Sequence, residues 1–315
     1  MRLQSATRGA ATAALAAALL VVVSTAFADP AQPPITDPML PEHAARQLSP
    51  HVYVIMGFPN IGIVVGQRAT LVVDTGLGPR NGAVVARTAA ALSPPGHKLY
   101  LTTTHFHPEH ASGQRGFPTG TIVIRPRVQQ AELEADGPRF LALFGRRPPM
   151  HALLEGVGVG PANVLFDRAY TLDLGGVHAR LLYFGAAHTR GDEVIFVPED
   201  SVLISGDVVQ NHLSPNIICE TCSPRQWIAV LDRIAPLKPQ HILPDHGALG
   251  GPELISDERA FLVDLQTRAS ALEARGVPAA EASRQIEADF KTRYAGWYGL
   301  NNVPQSVARA YADHH

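Results

Sequence analysis

The chain has 315 residues, 46% hydrophobic and 17% charged, enough apolar material to bury one large core or two small ones. With 26 basic and 28 acidic side chains its net charge is -2, which leaves no basic footprint for nucleic acid or another polyanion. Its two cysteines, Cys219 and Cys222, are too few for a four-thiolate zinc site.

The first residues carry Arg2 and Arg8, then an apolar Ala/Leu/Val run, then Ala26-Phe27-Ala28. That order reads as a signal peptide, residues 1–28, cut after Ala28, and it predicts a soluble mature protein that is periplasmic or secreted. An uncleaved anchor is the rival reading, but the run is short for a membrane span and no stop-transfer flank follows it. No cysteine stands near the cut, which argues against a lipoprotein. Residues 29–48, rich in proline, read as a loosely held leader.

"HVYVIMG", "IGIVVG" and "ATLVVDTG" follow as short β-branched runs between Gly, Pro and Asn, the pattern of an antiparallel meander whose third strand ends at Asp74. Residues 81–92 are Ala-rich with helical spacing, and "HKLYLTTT" is the next strand, completing a βαβ step. That strand delivers "TTTHFHPEHASG", which sets His105, His107, Glu109 and His110 within six positions.

Further on, "YTLDL", "HARLLYFG", "EVIFVP" and "SVLISGD" read as strands, "PRQWIAVLDRIAPL" as an amphipathic helix and "HILPDHG" as a last short strand. His188, Asp207 and His246 fall in turns after or between these strands, where loops on a rigid scaffold can bring them to one edge. The pair in "ICETCSP" reads as a local disulfide in an exported protein. Free thiols are the next reading and a redox role the least supported, since no thioredoxin-like strand-helix context surrounds it. Residues 253–315 carry a mainly helical pattern and read as an extension packed on the main domain.

The box His105-x-His107-x-Glu109-His110, followed by His188 in "AAHTRGD", Asp207 in "ISGD" and His246 in "PDHG", with Asp74 at a strand end before them, resembles the metallo-β-lactamase-fold superfamily over about residues 50–250. The resemblance implies an α/β fold, a four-layer αββα sandwich over residues 29–252, with residues 253–315 as a C-terminal helical extension like those of some members. It also implies a zinc site with two ions per chain: His105, His107 and His188 around the first, Glu109, His110 and His246 around the second, and Asp207 bridging them. Histidine nitrogens and carboxylate oxygens suit zinc independently of the resemblance. Asp74 is expected beside the site, fixing loop geometry or a ligand histidine.

The implied activity is hydrolysis of a small ester, thioester, lactone or lactam by a metal-activated hydroxide, with Glu109 and Asp207 taking part. No Ser or Cys nucleophile is needed, and the chain has no Gly-x-Ser-x-Gly elbow. Export favours a β-lactamase or a related hydrolase. The loop after Asp207, "VVQNHLSPN", lacks a lysine to pair a lactam carboxylate, and Asp207 stands where one lactamase subgroup has a ligand cysteine. Glu109 departs from the family pattern, which has Asp there. Its extra methylene leaves it a metal ligand, a group orienting water, or neither: either the second site is adapted to the longer side chain, or it is weakened and the enzyme works with one metal.

Two other classes share this scaffold: an iron-dependent oxygenase, whose ligands can be the same, and a non-catalytic metal-binding protein. Among the remaining residues, Thr104 and Thr189 are expected to be structural. His212 either borders the substrate pocket or is a plain loop residue, and Trp297 and Tyr298 either line an entrance or pack in the tail. The expected partner is a small-molecule substrate, with neither nucleic acid nor a membrane anchor after signal cleavage.

Overall fold

The computed structural model describes residues 32–158 and 160–313; residues 1–28, read above as a signal peptide, lie outside the described residues. β1 (Arg46–Gln47), in the stretch read as a loosely held leader, pairs with β2 (Val52–Ile55), which with β3 (Ile61–Val65) and β4 (Ala69–Val73) forms the expected antiparallel meander. Helix α1 (Gly78–Leu92) then crosses to β5 (Lys98–Thr102), which lies parallel to β4. After the single turn α2 (Pro108–Ala111), the chain adds β6 (Ile122–Pro126), α3 (Arg127–Phe144), α4 (Pro148–His151) and β7 (Val164–Phe166), giving a seven-stranded sheet in sequence order. The sequence patterns assign nothing between the histidine box and β8. The reason is visible in α3, which contains Gly137 and Pro138 and has only a weak apolar stripe.

The second sheet is a meander of β8 (Ala169–Asp173), β9 (His178–Tyr183), β10 (Glu193–Val197) and β11 (Val202–Gly206). Helix α5 (Pro224–Ile234) crosses to β12 (His241–Pro244), parallel to β11, so the order is β12-β11-β10-β9-β8. The tail is α6 (Glu253–Glu273), α7 (Ala279–Arg293) and α8 (Val303–Ala312). Among the described residues no helix is long and apolar enough to cross a membrane.

Strand periodicity explains the layers. In β4, Ala69, Leu71 and Val73 face the core between the sheets with Leu181, Ile195 and Ile204, while Val72 faces outward to Val84, Val85 and Ala89 of α1. β11 does the same: Val202 and Ile204 point inward, and Leu203 meets Trp227 and Leu231 of α5. Both strands are therefore buried on both faces along their whole length, and each buried Val, Leu or Ile contributes roughly 1.5–3 kcal/mol. Ser223 caps α5 by accepting from the Gln226 backbone N–H at 3.3 Å, and Pro224 starts the helix. Trp227, Val230, Leu231 and Ile234 make its buried stripe.

One face of α6 joins this layer through Leu254, Ile255 and Leu262; the other, through Phe261, Leu265 and Ala269, packs on α7 and α8. The outcome is the αββα sandwich with C-terminal helices. The ends of β5, β9, β11 and β12 meet at one edge, where the titratable residues converge.

Candidate metal centre

β5 stops at Thr102, and the next residues are pinned to their surroundings. The Glu193 N–H donates to the Thr104 carbonyl at 2.7 Å. The Gln129 side-chain amide, from α3, donates to the carbonyls of Thr103, Thr104 and Gly191 at 2.7, 3.1 and 3.1 Å. This amide ties the strand leading to His105 to the loop holding His188. Pro108 then opens α2, whose single turn sets Glu109 and His110 beside the histidines. At the end of β11, Gly206 has φ +60°, and a Cβ there would meet Thr104 Cβ at 2.8 Å. Only glycine allows that approach without strain, and it delivers Asp207 to the cluster.

The seven residues picked from the sequence come together. His105 Nε2 lies 2.9 Å and His188 Nε2 3.2 Å from His107 Nδ1, so three ring nitrogens meet at one point. Glu109, His110 and His246 form a second group whose ligand atoms lie within 4.8 Å of one another. Asp207 stands between the groups, with Oδ2 3.3 Å from His188 Nε2 and Oδ1 3.5 Å from His246 Nε2. Gln210 holds that carboxylate, donating to Oδ1 at 2.7 Å.

These residues fit a metal on structural grounds. Glu109 Oε2 and His110 Nε2 are buried with no hydrogen-bond partner, whereas buried polar atoms ordinarily have one. The outward nitrogens of two rings are occupied. His110 Nδ1 faces Asp74 Oδ2 at 3.0 Å and Asp245 Oδ2 at 3.2 Å, and His188 Nδ1 faces the Asn216 carbonyl at 2.5 Å. Each leaves Nε2 turned to the cluster, the arrangement by which a ligand histidine is oriented. A set of nitrogen and carboxylate donors without sulfur suits zinc or another borderline divalent ion.

The electrostatics of four of the five histidines agree. Burial, reinforced by neighbouring imidazoles, holds His105 and His107 well below the ordinary histidine range. Burial also lowers His188, and it holds His246 down to about 4 although Asp207 pulls the other way. These rings present lone pairs rather than protons at neutral pH, as metal ligation requires. Burial opposes a charge on His110, but Asp74, Asp245 and Glu109 outweigh it and keep the ring well above its usual range. Burial pushes Glu109 up to about 7 against the pull of His110. Burial also opposes the charge on Asp207, which the surrounding histidines nevertheless keep below the usual carboxylate range.

Around the cluster stand residues that hold the ligands in place, two of which, Asp245 and Asp192, the sequence reading did not single out. Asp74 takes its expected place, accepting from the Thr104 N–H at 2.7 Å and the Thr104 hydroxyl at 2.9 Å while facing His110. Asp245 shares the load, accepting from the same hydroxyl at 2.8 Å; it lies next to His246 in "PDHG", and that adjacency was the available clue. Asp192, in "AAHTRGD", accepts from the Thr189 hydroxyl, the Thr189 N–H and the Ala187 N–H at 2.6, 2.8 and 3.1 Å, and so fixes the turn that carries His188. Thr104 and Thr189 have the structural place expected of them.

A cavity of about 630 Å³ opens in front of the cluster, lined by His107, Glu109, His188, Asp207 and His246 at its floor. Its walls come from α3, from the loop after Asp207, from α8 and from Pro34, Ile35 and Thr36 of the leader. His212 is not among the lining residues: its ring lies 5.2 Å from Trp297 and 3.3 Å from Asp257. Trp297 stacks on Phe261 at 4.7 Å, and the Tyr298 backbone bonds to His212 and Ser214. Neither aromatic lines the cavity, and Trp297 packs among the tail helices. Cys219 and Cys222 form the local disulfide, in a segment that lines the cavity through Ile218 and Glu220.

Comparison with known proteins agrees with this geometry. A metallo-beta-lactamase type 2 from Bacteroides fragilis is 26% identical over 100 residues, 31% of this chain and 40% of that relative's length. A solved metallo-beta-lactamase from Pontibacter korlensis superposes with a TM-score of 0.54 at 18% identity, covering 70% of this chain and 98% of that one. A stereoselective inverting sec-alkylsulfatase from Pseudomonas sp. superposes with a TM-score of 0.63 at 17% identity, covering 86% of this chain and 50% of that one. Residues 54–246, more than half of the chain and the whole of the cluster, match the family pattern itself: the protein belongs to the metallo-beta-lactamase superfamily.

Proposed function

We propose that the protein is an exported zinc-dependent hydrolase of small ester, thioester, lactone or lactam substrates. The observation that carries this reading is the Asp207 carboxylate, one oxygen near His188 and the other near His246, straddling two donor groups. His105, His107 and His188 would hold one ion and Glu109, His110 and His246 the other, with Asp207 shared. Bound zinc would supply Lewis acidity and a water made nucleophilic near neutral pH.

The chain's own residues do the rest. Asp74 and Asp245 fix the His110 ring, the Asn216 carbonyl fixes His188, and Gln210 fixes Asp207. Glu109 and Asp207 project carboxylates onto the cavity floor, where a substrate carbonyl and an attacking water would meet. Removal of residues 1–28 on export would release a soluble enzyme without an anchor.

The test is metal content by mass spectrometry on mature protein purified without chelator, followed by assay of chromogenic ester, thioester, lactone, lactam and sulfate-ester substrates. Two zinc ions per chain, with turnover abolished by chelator and restored by zinc, is the expected result. Bound iron with oxygen consumption would replace the reading with oxygen chemistry, and metal without turnover of any substrate would leave a binding protein.

A further inference from the structure

The residues that line the cavity beyond the metal ligands are of two kinds. One wall is apolar, built from Phe140, Leu143 and Phe144 of α3 together with Phe58, which packs on the same small cluster as Phe144. The other kind is cationic: Arg139, Arg147 and Arg309 all line the cavity, and Glu220 is the only carboxylate there outside the metal cluster. Net charge is -2 for the whole chain, so three arginines around one apolar cavity are a local concentration rather than a reflection of composition.

Their pairing decides what they are free to do. Arg139 has a carboxylate within reach, Asp136 at 3.7 Å. Arg147 makes no ion pair among the described residues and lies against the Phe144 ring, 5.8 Å from its centre. Arg309 is half-buried on α8, its guanidinium reaches only the Glu220 carbonyl at 3.5 Å, and its Nε is buried with no partner. An arginine that is partly desolvated and has no counter-charge is costly unless an anion completes it. Its place is fixed, because neighbours on α8 dock on the metal-site loop: the Gln305 side chain donates to the Ile217 carbonyl at 2.9 Å and the Ser306 hydroxyl to the Pro215 carbonyl at 3.0 Å. Planar guanidinium groups match carboxylate and other oxyanions through paired donors.

We infer that the substrate is an anionic amphiphile, an ester-type molecule whose apolar body lies along Phe140, Leu143 and Phe144 and whose acidic group is received by Arg309, with Arg147 beside it. This rests on the proposed hydrolase reading and adds to it the substrate's charge and polarity. It also gives the C-terminal extension a task, since α8 supplies the anion-binding arginine. Arg309 is a specificity residue: it selects the substrate and takes no part in bond cleavage.

The test compares two p-nitrophenyl esters of equal chain length, the neutral hexanoate and the adipate half-ester, whose free carboxylate sits at the far end. A charge-assisted hydrogen bond contributes about 1.5–3 kcal/mol, so the wild type should prefer the half-ester by about tenfold or more in kcat/KM, carried in KM. In Arg309→Gln the half-ester KM should rise about tenfold and the preference fall towards one. Arg309→Lys should keep part of it, Arg147→Gln should weaken it, and Arg275→Gln, on an exposed turn far along the chain, should leave it intact.

Calorimetric titration of the same proteins with hexanesulfonate and with hexanol reads the anion site without catalysis. Binding of the sulfonate about tenfold tighter than the alcohol, lost in Arg309→Gln, supports the inference even if no ester is turned over and the hydrolase reading fails. Equal KM for the two esters, equal binding of the two probes, or a preference that survives both Arg309→Gln and Arg147→Gln would overturn it while leaving hydrolysis in place.

Discussion

Shortening Glu109 by one carbon tests the part of the centre that departs most from the family. Glu109→Asp withdraws the carboxylate by one carbon-carbon bond, about 1.5 Å, whereas metal-oxygen distances of about 2.0–2.2 Å tolerate only about 0.2 Å. The turn that carries it cannot slide to make up the difference. The His110 carbonyl accepts from the Thr75 N–H at 3.0 Å and the Thr75 hydroxyl at 2.8 Å, and the same hydroxyl accepts from the Gly113 N–H at 2.9 Å. Moving α2 breaks two of these bonds at about 1 kcal/mol each, about 2 kcal/mol together, which converts to about thirtyfold in affinity.

Leaving α2 in place instead removes the carboxylate from its ion, at a cost of at least that size. Either way the ion held by Glu109, His110 and His246 should weaken by about ten- to hundredfold, while the ion held by the three converging histidines stays. Equilibrium dialysis against graded zinc, read by mass spectrometry, reports both occupancies in one sample, so the first site serves as the internal control. A Glu109→Asp protein that holds both ions as tightly as the wild type, or more tightly, would refute the assignment of Glu109 as a ligand.

Asp74→Asn replaces an acceptor facing His110 Nδ1 with an amide, and should weaken the same second ion by about ten- to hundredfold without unloading the first, by the dialysis just described. Trp227→Ala empties a fully buried position on α5 and removes the indole N–H donation to the Val208 carbonyl at 2.9 Å; a loss of about 3–5 kcal/mol should appear as a lower urea midpoint with little change in slope. Glu258, buried on α6, is pushed well above the usual carboxylate range by burial, against a smaller pull from the Gln210 N–H. A raised folded-state pKa contributes its full stability below the unfolded value near 4.5 and loses it as pH rises through the folded value. Glu258→Gln should therefore gain on the wild type in urea midpoint as pH goes from 5 to 8, and a gap that stays constant with pH would show that folding does not raise the pKa of Glu258.

What the sequence disclosed depended on how local each signal was. The meander, the βαβ step and α5 were legible because each buries side chains with a fixed period, and the seven cluster residues because His and acidic residues recur at strand ends. Asp245 and Asp192 were written inside the same short motifs, yet an aspartate beside a histidine says nothing about which carbonyl, hydroxyl or ring its carboxylate will meet. That depends on Thr104 and Thr189, 141 and 3 residues away respectively. The segment holding α3 was opaque for a different reason: Gly137 and Pro138 interrupt its helical pattern, and its buried polar residues, Gln129 and Glu132, bond to loops instead of packing on a core.

The cavity was the least legible of all. The metal floor draws on two sheets, but the walls draw on the leader, on α3 and on α8, segments separated by most of the chain and without a shared motif. A metal cluster binds one kind of atom and so leaves a residue-type signature. A substrate cavity is defined by shape and by which arginines lack partners, and neither property exists until the chain has folded. The fold's chemistry is thus readable ahead of its specificity, and Arg309, unremarkable in sequence and unpartnered at Nε in the folded chain, is where the two part.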